Sequence, residues 1–325
     1  MNASNIRLAA LRTLFAIVFL ALAASASWAQ NLRSAEEYYT RGNTRYTKGD
    51  LDGAIADYDK AIAIIVGFPQ ADHARSKAEQ FKRAFSETSG EYNTITVLDP
   101  RLAPVYHNRG VARQVKGDLD GAIADFDRAV EVNPRFAQAY TNRGNARQAK
   151  GDLDKALADY NKAIALDPRS ALAYNNRGVA KQDQGDLGGA IRDFDKAIEI
   201  NPHLAEAYNN RGAARYAKGD LNGAIADFDK AIEIDPHYAA PYSNRGVARQ
   251  AKGDIDGAIA DFDKAIAIHP RYANAFANRG LAWLLQGKDA EAERDFRECL
   301  KLNKDLKPKL DQSAKEVKLR LAAVQ

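Results

Sequence analysis

Apolar and small side chains recur every three or four residues along most of the chain, and this spacing predicts amphipathic α-helices. Residues 103–136 contain two such stretches, separated by Gly117 and Asp118. The apolar stripe of the second stretch consists of Leu119, Ala122, Ile123, Phe126, Ala129 and Val130. Glycine can end a helix in the left-handed conformation, and aspartate can cap the helix that follows. The pattern therefore predicts two antiparallel helices joined by a tight turn and ended by Pro134.

This pair of stretches repeats with a period of 34 residues. The period is marked by an Arg-Gly dipeptide that begins at Arg109, Arg143, Arg177, Arg211, Arg245 and Arg279. Arg41-Gly42 keeps the same register two periods before Arg109. The units are 35–68, 69–102, 103–136, 137–170, 171–204, 205–238, 239–272 and 273–306. Because one helix pair cannot bury its apolar stripe alone, we expect neighbouring units to stack.

One unit and both ends of the array depart from the pattern. Unit 69–102 is degenerate: it has lost both glycines, and we expect a distorted helix pair at this place in the stack. At the start, Ser34 and Glu37 have the spacing of a capping box. At the end, residues 307–325 place Leu310, Ala314, Val317 and Leu321 on one side, which predicts a C-terminal capping helix that covers the last unit.

The unit resembles the tetratricopeptide repeat, which has an aromatic residue, a glycine, an alanine, an aromatic residue, an alanine and a proline at fixed positions. The matching residues are Tyr106, Gly110, Ala122, Phe126, Ala129 and Pro134. The resemblance implies an all-α fold, a right-handed α-solenoid of about eight helix-turn-helix units over residues 35–306. It also implies a non-enzymatic scaffold, without cofactor or metal, that binds a protein or peptide partner.

Two columns depart from this family, which normally has packed leucine and tyrosine where the present chain has cations. The first column is Arg109, Arg143, Arg177, Arg211 and Arg245, and a second cation follows each of them by four residues. Cations at this spacing repel each other unless they are neutralised. We expect them to pair with an aspartate column on the second helices, formed by Asp125, Asp159, Asp193, Asp227 and Asp261. These residues are interpreted as a structural ion-pair ladder.

The resemblance places the first helix of each unit on the concave face of the solenoid. An asparagine column would then line this groove, formed by Asn108, Asn142, Asn176, Asn210, Asn244 and Asn278. Beside it would lie Gln114, Gln148, Gln182, Tyr216 and Gln250. Asparagine offers both donors and acceptors, so the column could bind the backbone of an extended peptide. The alternative is that these asparagines only satisfy neighbouring backbone groups.

The N-terminus has the features of a secretory signal peptide over residues 1–29. Arg7 and Arg12 precede the apolar run 14–24, and Ser27-Trp28-Ala29 follows. The run is shorter than the roughly 20 apolar residues of a membrane span, although an uncleaved anchor is an alternative reading. We expect cleavage after Ala29, no membrane span afterwards, and a periplasmic or secreted protein, most consistent with a bacterial envelope.

Charge and composition bear on the rival functions. Without the two arginines of the leader, 45 basic and 43 acidic residues remain, which gives no electrostatic footprint for nucleic acid. An RNA-binding helical repeat is therefore disfavoured. The sequence also lacks the common nucleophile, phosphate-loop and zinc-protease motifs. A scaffold of an assembly or secretion apparatus, which binds a folded partner on another surface, remains open beside peptide capture.

Overall fold

The computed structural model describes residues 30–66 and 99–322, which form helices without any strand. The helices are α1 (residues 30–47), α2 (Leu51–Val66), α3 (Leu102–Lys116), α4 (Leu119–Val132), α5 (Ala137–Ala149), α6 (Leu153–Leu166), α7 (Ala171–Asp183), α8 (Leu187–Ile200), α9 (Ala205–Ala217), α10 (Leu221–Ile234), α11 (Ala239–Ala251), α12 (Ile255–Ile268), α13 (Ala273–Leu285), α14 (Asp289–Leu302) and α15 (Lys307–Ala322). A short 3-10 helix, Lys304–Leu306, precedes α15. The predicted all-α solenoid architecture is confirmed.

The helices belong to two compact units, residues 1–166 and 167–325. In each of them the first helix of a repeat packs against its own second helix, and that second helix packs against the first helix of the next repeat. The described part of the first compact unit comprises α1 to α6, and that of the second comprises α7 to α15.

The turn within each repeat follows from its Gly-Asp pair. Gly117 has φ of 86°, and its N–H donates to carbonyls in the last turn of α3. The Asp118 side chain accepts a hydrogen bond from Gly121 N at 2.9 Å, which caps α4. A side chain at a left-handed φ is strained, and the cap satisfies a backbone donor that the helix leaves open. The sequence prediction of this turn is therefore confirmed.

Small residues let the two helices of a repeat approach each other. A Cβ built on Gly110 would lie 2.8 Å from Phe126 Cε1, and one on Gly144 would lie 2.6 Å from Tyr160 Cε1. The aromatic ring of the second helix thus packs directly onto the glycine of the first helix. Both rings are fully buried, so they form the centre of each helix pair.

Tyrosine replaces phenylalanine at this central position in two described repeats, and each tyrosine has an amide partner. Tyr58 Oη donates to Asn43 Oδ1 at 2.8 Å, and Tyr160 Oη donates to Asn145 Oδ1 at 2.8 Å. The repeats with Phe126 and Phe194 carry valine in place of these asparagines. A buried hydroxyl needs a hydrogen-bond partner, so the two positions change together within this one chain.

The structure differs from the sequence-based expectation at the start of the array. Helix α3 packs directly on α2, and Ala54, Tyr58, Leu102 and Val105 belong to one apolar cluster. A polar contact across this junction also matches a contact between repeats that adjoin in sequence. Lys116 bonds Asp52, as Lys150 bonds Asp120 in the next pair of repeats.

Units 35–68 and 103–136 are therefore immediate neighbours, and the prediction that unit 69–102 lies between them in the stack is wrong. Most of that unit, residues 69–98, lies outside the described residues, as does the signal peptide predicted over residues 1–29. Because the 34-residue register is preserved, the sequence did not indicate that these two units are direct neighbours. A segment of one full period leaves every later repeat in phase, whether or not it joins the stack.

Both ends of the array also differ from expectation. Ser34 lies inside α1, and its hydroxyl donates to the Gln30 carbonyl at 3.1 Å, so the capping-box prediction is wrong. The predicted C-terminal helix exists as α15, but it packs mainly against α13. The first helix of a following repeat would instead pack against the second helix, α14. Among the described residues, no helix is both long enough and apolar enough to cross a membrane.

Candidate functional site

The arginine and aspartate columns meet between the two helices of each repeat. Arg143 donates through Nε and Nη2 to Asp159, with the shortest contact at 2.6 Å, and Arg177 Nη2 donates to Asp193 Oδ1 at 2.6 Å. The same pairing joins Arg109 to Asp125, Arg211 to Asp227 and Arg245 to Asp261. The structure adds two members that the sequence interpretation had not paired, Arg41 with Asp57 and Arg279 with Asp295.

A second cation contacts the aspartate at every described site except that of Asp295, where Trp283 takes the place of the cation. The aspartate that accepts from Arg211 also accepts from Arg215 Nη1, at 2.8 Å, and Lys181 Nζ contacts Asp193 at 2.8 Å. The carboxylate is nearly inaccessible; Asp125, for example, has a side-chain exposure of 2%. The buried carboxylate lies between the two cations, which reduces the repulsion expected between cations four residues apart.

Within each compact unit, the same arginines also bond the repeat that precedes them. Arg143 Nη1 donates to Asp127 at 2.6 Å, and Arg245 Nη1 donates to Asp229 at 2.5 Å. Arg109 makes the equivalent bond to Asp59, at 2.6 Å, across the junction described above. An aromatic ring one turn earlier packs on each guanidinium, as Tyr140 does on Arg143 with a distance of 5.1 Å to the ring centre.

The electrostatics keep these groups charged. The hydrogen bond from Arg41 lowers the pKa of Asp57 below its usual value, although burial acts in the opposite direction. At Arg177 the bond with Asp193 raises the pKa of the guanidinium further above its already high value. The arginine heads are therefore engaged with aspartates of the stack.

In the first compact unit the asparagine column is joined by hydrogen bonds from one repeat to the next. Asn108 Nδ2 donates to Tyr39 Oη and to Asn43 Oδ1, both at 3.0 Å. Its Oδ1 lies 2.9 Å from His107 Nδ1, and Asn142 Nδ2 lies 2.9 Å from His107 Nε2. Asn142 can only donate here, so His107 Nε2 accepts and Nδ1 carries the proton. Burial lowers the pKa of His107, which favours this neutral form.

The second compact unit has the same arrangement with asparagine in place of histidine. Asn210 Nδ2 donates to Asn175 Oδ1 at 3.0 Å, and Asn244 Nδ2 donates to Asn209 Oδ1 at 2.9 Å. Asn175 also donates to Asn176 Oδ1, at 3.2 Å. All members of the predicted column, including Asn278, are half-buried. Asn210 and Asn244 are therefore linked to the preceding repeat through Asn175 and Asn209, as Asn142 is through His107 in the first compact unit.

Sequence reasoning missed the residues that link this network, His107, Asn175 and Asn209. Each comes directly before a column asparagine and bonds the column asparagine of the next repeat. Polar side chains at this position in several repeats, with Thr141 and Ser243 at the equivalent places, were the available signal. Helical periodicity alone does not show which of two adjacent polar positions faces a neighbour.

The residues predicted beside the column are less uniform. Gln148 Oε1 lies 2.9 Å from Tyr160 Oη, whose single proton is shared between this oxygen and Asn145 Oδ1, so this amide is partly used by the core. Gln114, Gln182 and Gln250 are half-buried, and Tyr216 is 36% exposed. Tyr216 is thus an accessible aromatic side chain in a row of amides.

The C-terminal helix covers the end of the column in the second compact unit. A cavity of about 210 Å³ lies between α15 and the first helices α11 and α13. Its lining includes Asn244, Asn278 and Leu281 on one side, and Lys309 and Leu310 on the other. This end of the face therefore already contacts a helix of the same chain. Within the described ranges, no cluster of three or more potential metal ligands occurs.

Comparisons with known proteins agree with this architecture. Models described as TPR repeat match residues 115–151, 144–185, 180–219, 212–253 and 249–287, and models described as tetratricopeptide repeat match residues 35–65 and 273–306. No curated protein matches the chain.

Solved structures of tetratricopeptide repeat proteins are also similar. One from Parabacteroides merdae is 21% identical and has a TM-score of 0.62 over 87% of this chain and 99% of its own. PilW, described as a type IV pilus biogenesis factor, is 18% identical and has a TM-score of 0.59 over 65% of this chain and 98% of its own. MamA is 29% identical, with a TM-score of 0.44 over 50% of this chain and 95% of its own. The first two share the fold, and because the TPR repeat matches alone span more than half of the chain, the protein belongs to the tetratricopeptide repeat family.

Proposed function

We propose that this protein is a non-enzymatic interaction scaffold that binds an extended polypeptide segment along the asparagine-lined faces of its first helices. Membership of the tetratricopeptide repeat family supports a protein-interaction scaffold, since stacked helical repeats create extended surfaces for polypeptide. The observation that carries the finer proposal is the linked amide network.

The network fixes the direction of each amide. Asn210 uses one N–H on Asn175, and its Oδ1 accepts from Asn209 at 3.4 Å. An asparagine side chain has two N–H donors and two acceptor lone pairs, so one donor and one lone pair remain beyond these bonds. Asn142 and Asn244 likewise each donate one N–H to the preceding repeat. A fixed row of such groups can pair with peptide backbone at little ordering cost.

The charge of the site favours a neutral ligand. Arg143 and Arg211 are held by aspartates of their own and the preceding repeat. The remaining side chains of the proposed face are mainly amides. A ligand whose affinity depends on carboxylate recognition would find these cations already paired, whereas the amide donors and acceptors suit main-chain groups.

The test is the combined replacement of Asn142, Asn176 and Asn210 by alanine in the full chain. Partners retained by the purified wild-type protein are quantified by cross-linking and mass spectrometry, and the variant is expected to lose them while its helicity by circular dichroism is unchanged. The matched control replaces Arg128 and Lys162, which are exposed on second helices, and should retain them. Undiminished recovery by the asparagine variant would refute the proposal and direct attention to another surface, as for a folded partner of an assembly apparatus.

We also propose that the protein acts outside the cytoplasm, in the periplasm or as a secreted protein. The cationic start and apolar run of residues 1–29 support this. Mass determination of the N-terminus after expression in a bacterial host tests it: a mature chain that starts at Gln30 is expected, and an uncleaved start would refute the proposed processing.

A further inference from the structure

The C-terminal helix α15 lies where the proposed ligand would lie. It packs mainly on α13, the first helix of the last repeat. Together with Leu306 it faces Asn244, Asn278 and Leu281 across the cavity described above. These three residues belong to the same first-helix face as the asparagine column. The chain therefore shows which type of segment this end of the face can hold.

The contact has the features of a helix held by a short apolar anchor. Leu310 is 5% exposed, whereas Leu319, about two and a half turns later and therefore on the opposite side of the same helix, is 60% exposed. Leu306 and Leu310 are one turn apart and both line the cavity, with Lys309 and Ser313 beside them. Residues spaced by four lie on one face of a helix, so two leucines and their polar neighbours form the recognition surface.

The hold on this helix is limited. The polar contact between α15 and α14 is the ion pair of Lys318 with Asp289, at 3.6 Å, and both side chains are more than 60% exposed. Exposed pairs of this type contribute little to stability. The cavity of about 210 Å³ also shows that the helix does not fill the face. One buried leucine and one exposed ion pair therefore contribute to the attachment of α15.

We propose that the face formed by α11 and α13 is a binding surface for an amphipathic helix, and that α15 occupies it in cis. The partner that it fits is a helix with two leucines one turn apart and a lysine beside the second, the chemistry that Leu306, Lys309 and Leu310 display. Such a helix and α15 exclude each other at Asn278. This inference rests on the proposed function and deepens it, because it assigns helix recognition to the C-terminal end of the face.

The test uses the full chain and a fluorescein-labelled synthetic peptide of residues 303–322, which keeps its own cap at Asn303. Leu310→Asp places a charge in the apolar contact and should release α15, and Leu319→Asp adds the same charge at an exposed position of the same helix. Fluorescence anisotropy is expected to show tight peptide binding by the Leu310→Asp variant. If α15 is seated nine-tenths of the time in the wild type, wild type and Leu319→Asp should bind about tenfold more weakly.

Two further variants locate the binding. Adding Leu281→Asp to the Leu310→Asp chain should abolish peptide binding, because Leu281 lines the same cavity. A chain truncated after Lys304 should bind the peptide as tightly as the Leu310→Asp variant does. Equal affinities of wild type and Leu310→Asp, absence of binding by both, or binding that survives Leu281→Asp would each overturn the inference. None of these outcomes alters the recovery of partners by the Asn142, Asn176 and Asn210 variant, so the two proposals fail separately.

Discussion

Two aspartates on helix α10 provide a sharp test of the ion-pair ladder, since both bond arginines but differ in burial. Asp227 is 4% exposed and accepts hydrogen bonds from Arg211 and Arg215. Asp229, two residues on, is 51% exposed and accepts from Arg245 alone. We expect Asp227→Ala to destabilise the protein strongly and Asp229→Ala to have a small effect.

The expected loss in the free energy of unfolding depends on whether the substitution leaves a buried arginine without its partner. Removing one partner of a buried ion pair typically costs about 3–5 kcal/mol, because the remaining charge stays desolvated. Arg211 keeps its bond to Asp195, and Arg215 is 28% exposed at its side chain, so we expect a value near the lower end, about 3 kcal/mol. An exposed pair contributes roughly 0–1 kcal/mol, and Arg245 keeps Asp261 when Asp229 is removed.

The measurement is urea denaturation followed by circular dichroism at 222 nm, with hydrogen exchange as a local probe. Repeat arrays unfold partly by segments, so the loss should appear first in the amides of α9 and α10. Asp227→Asn, which keeps the shape and removes the charge, should fall between Asp227→Ala and wild type. Equal effects of Asp227→Ala and Asp229→Ala, or a loss below about 1 kcal/mol for Asp227→Ala, would refute the assignment of the ladder to stability.

Three further predictions concern single positions. Gly144→Ala should cost about 1–3 kcal/mol in urea denaturation because its Cβ meets the Tyr160 ring. Gly188→Ala, whose Cβ would have its nearest neighbour at 3.7 Å, should be neutral or stabilising, and similar losses at both sites would contradict this. His107 has a lowered pKa in the folded state because of burial, so its stabilising contribution is present above pH 6.5 and is lost as the pH falls below it. His107→Asn, the residue found in two other repeats, should reduce the fall in melting temperature between pH 7.5 and 5.5, and an unchanged fall would argue against this role. Burial raises the pKa of Cys299, so this thiol should react with Ellman's reagent only after denaturation, and rapid reaction of the native protein would contradict its buried position.

Much of the fold could be predicted from local signals. Gly117 and Asp118 specify their turn through backbone conformation and capping, both of which act over a few residues. The pairing of Arg143 with Asp159 could be expected because unpaired cations at helical spacing are unfavourable. These inferences depend on interactions within one repeat, where the sequence separation is short and the geometry of two helices fixes the contact.

The parts that the sequence did not predict depend on contacts between repeats. Nothing in the local pattern of residues 69–102 shows that α3 packs on α2, because the contact of Lys116 with Asp52 uses the same residue types as the contact of Lys150 with Asp120, which joins repeats that adjoin in sequence. The position of α15 on α13 likewise depends on which of two apolar surfaces is the better partner for Leu310. Periodicity establishes that a helix is amphipathic, but it does not identify the surface that its apolar side contacts.

The direct packing of α3 on α2 has a consequence for how such chains vary. The lysine, arginine and asparagine contacts across this junction match those of junctions whose repeats adjoin in sequence. The second helix of one repeat can therefore accept a first helix that does not follow it directly in the sequence. Repeats with the same junction contacts can be gained or lost without changes in their neighbours. The same similarity means that connecting segments must prevent a nascent chain from pairing a second helix with the wrong first helix.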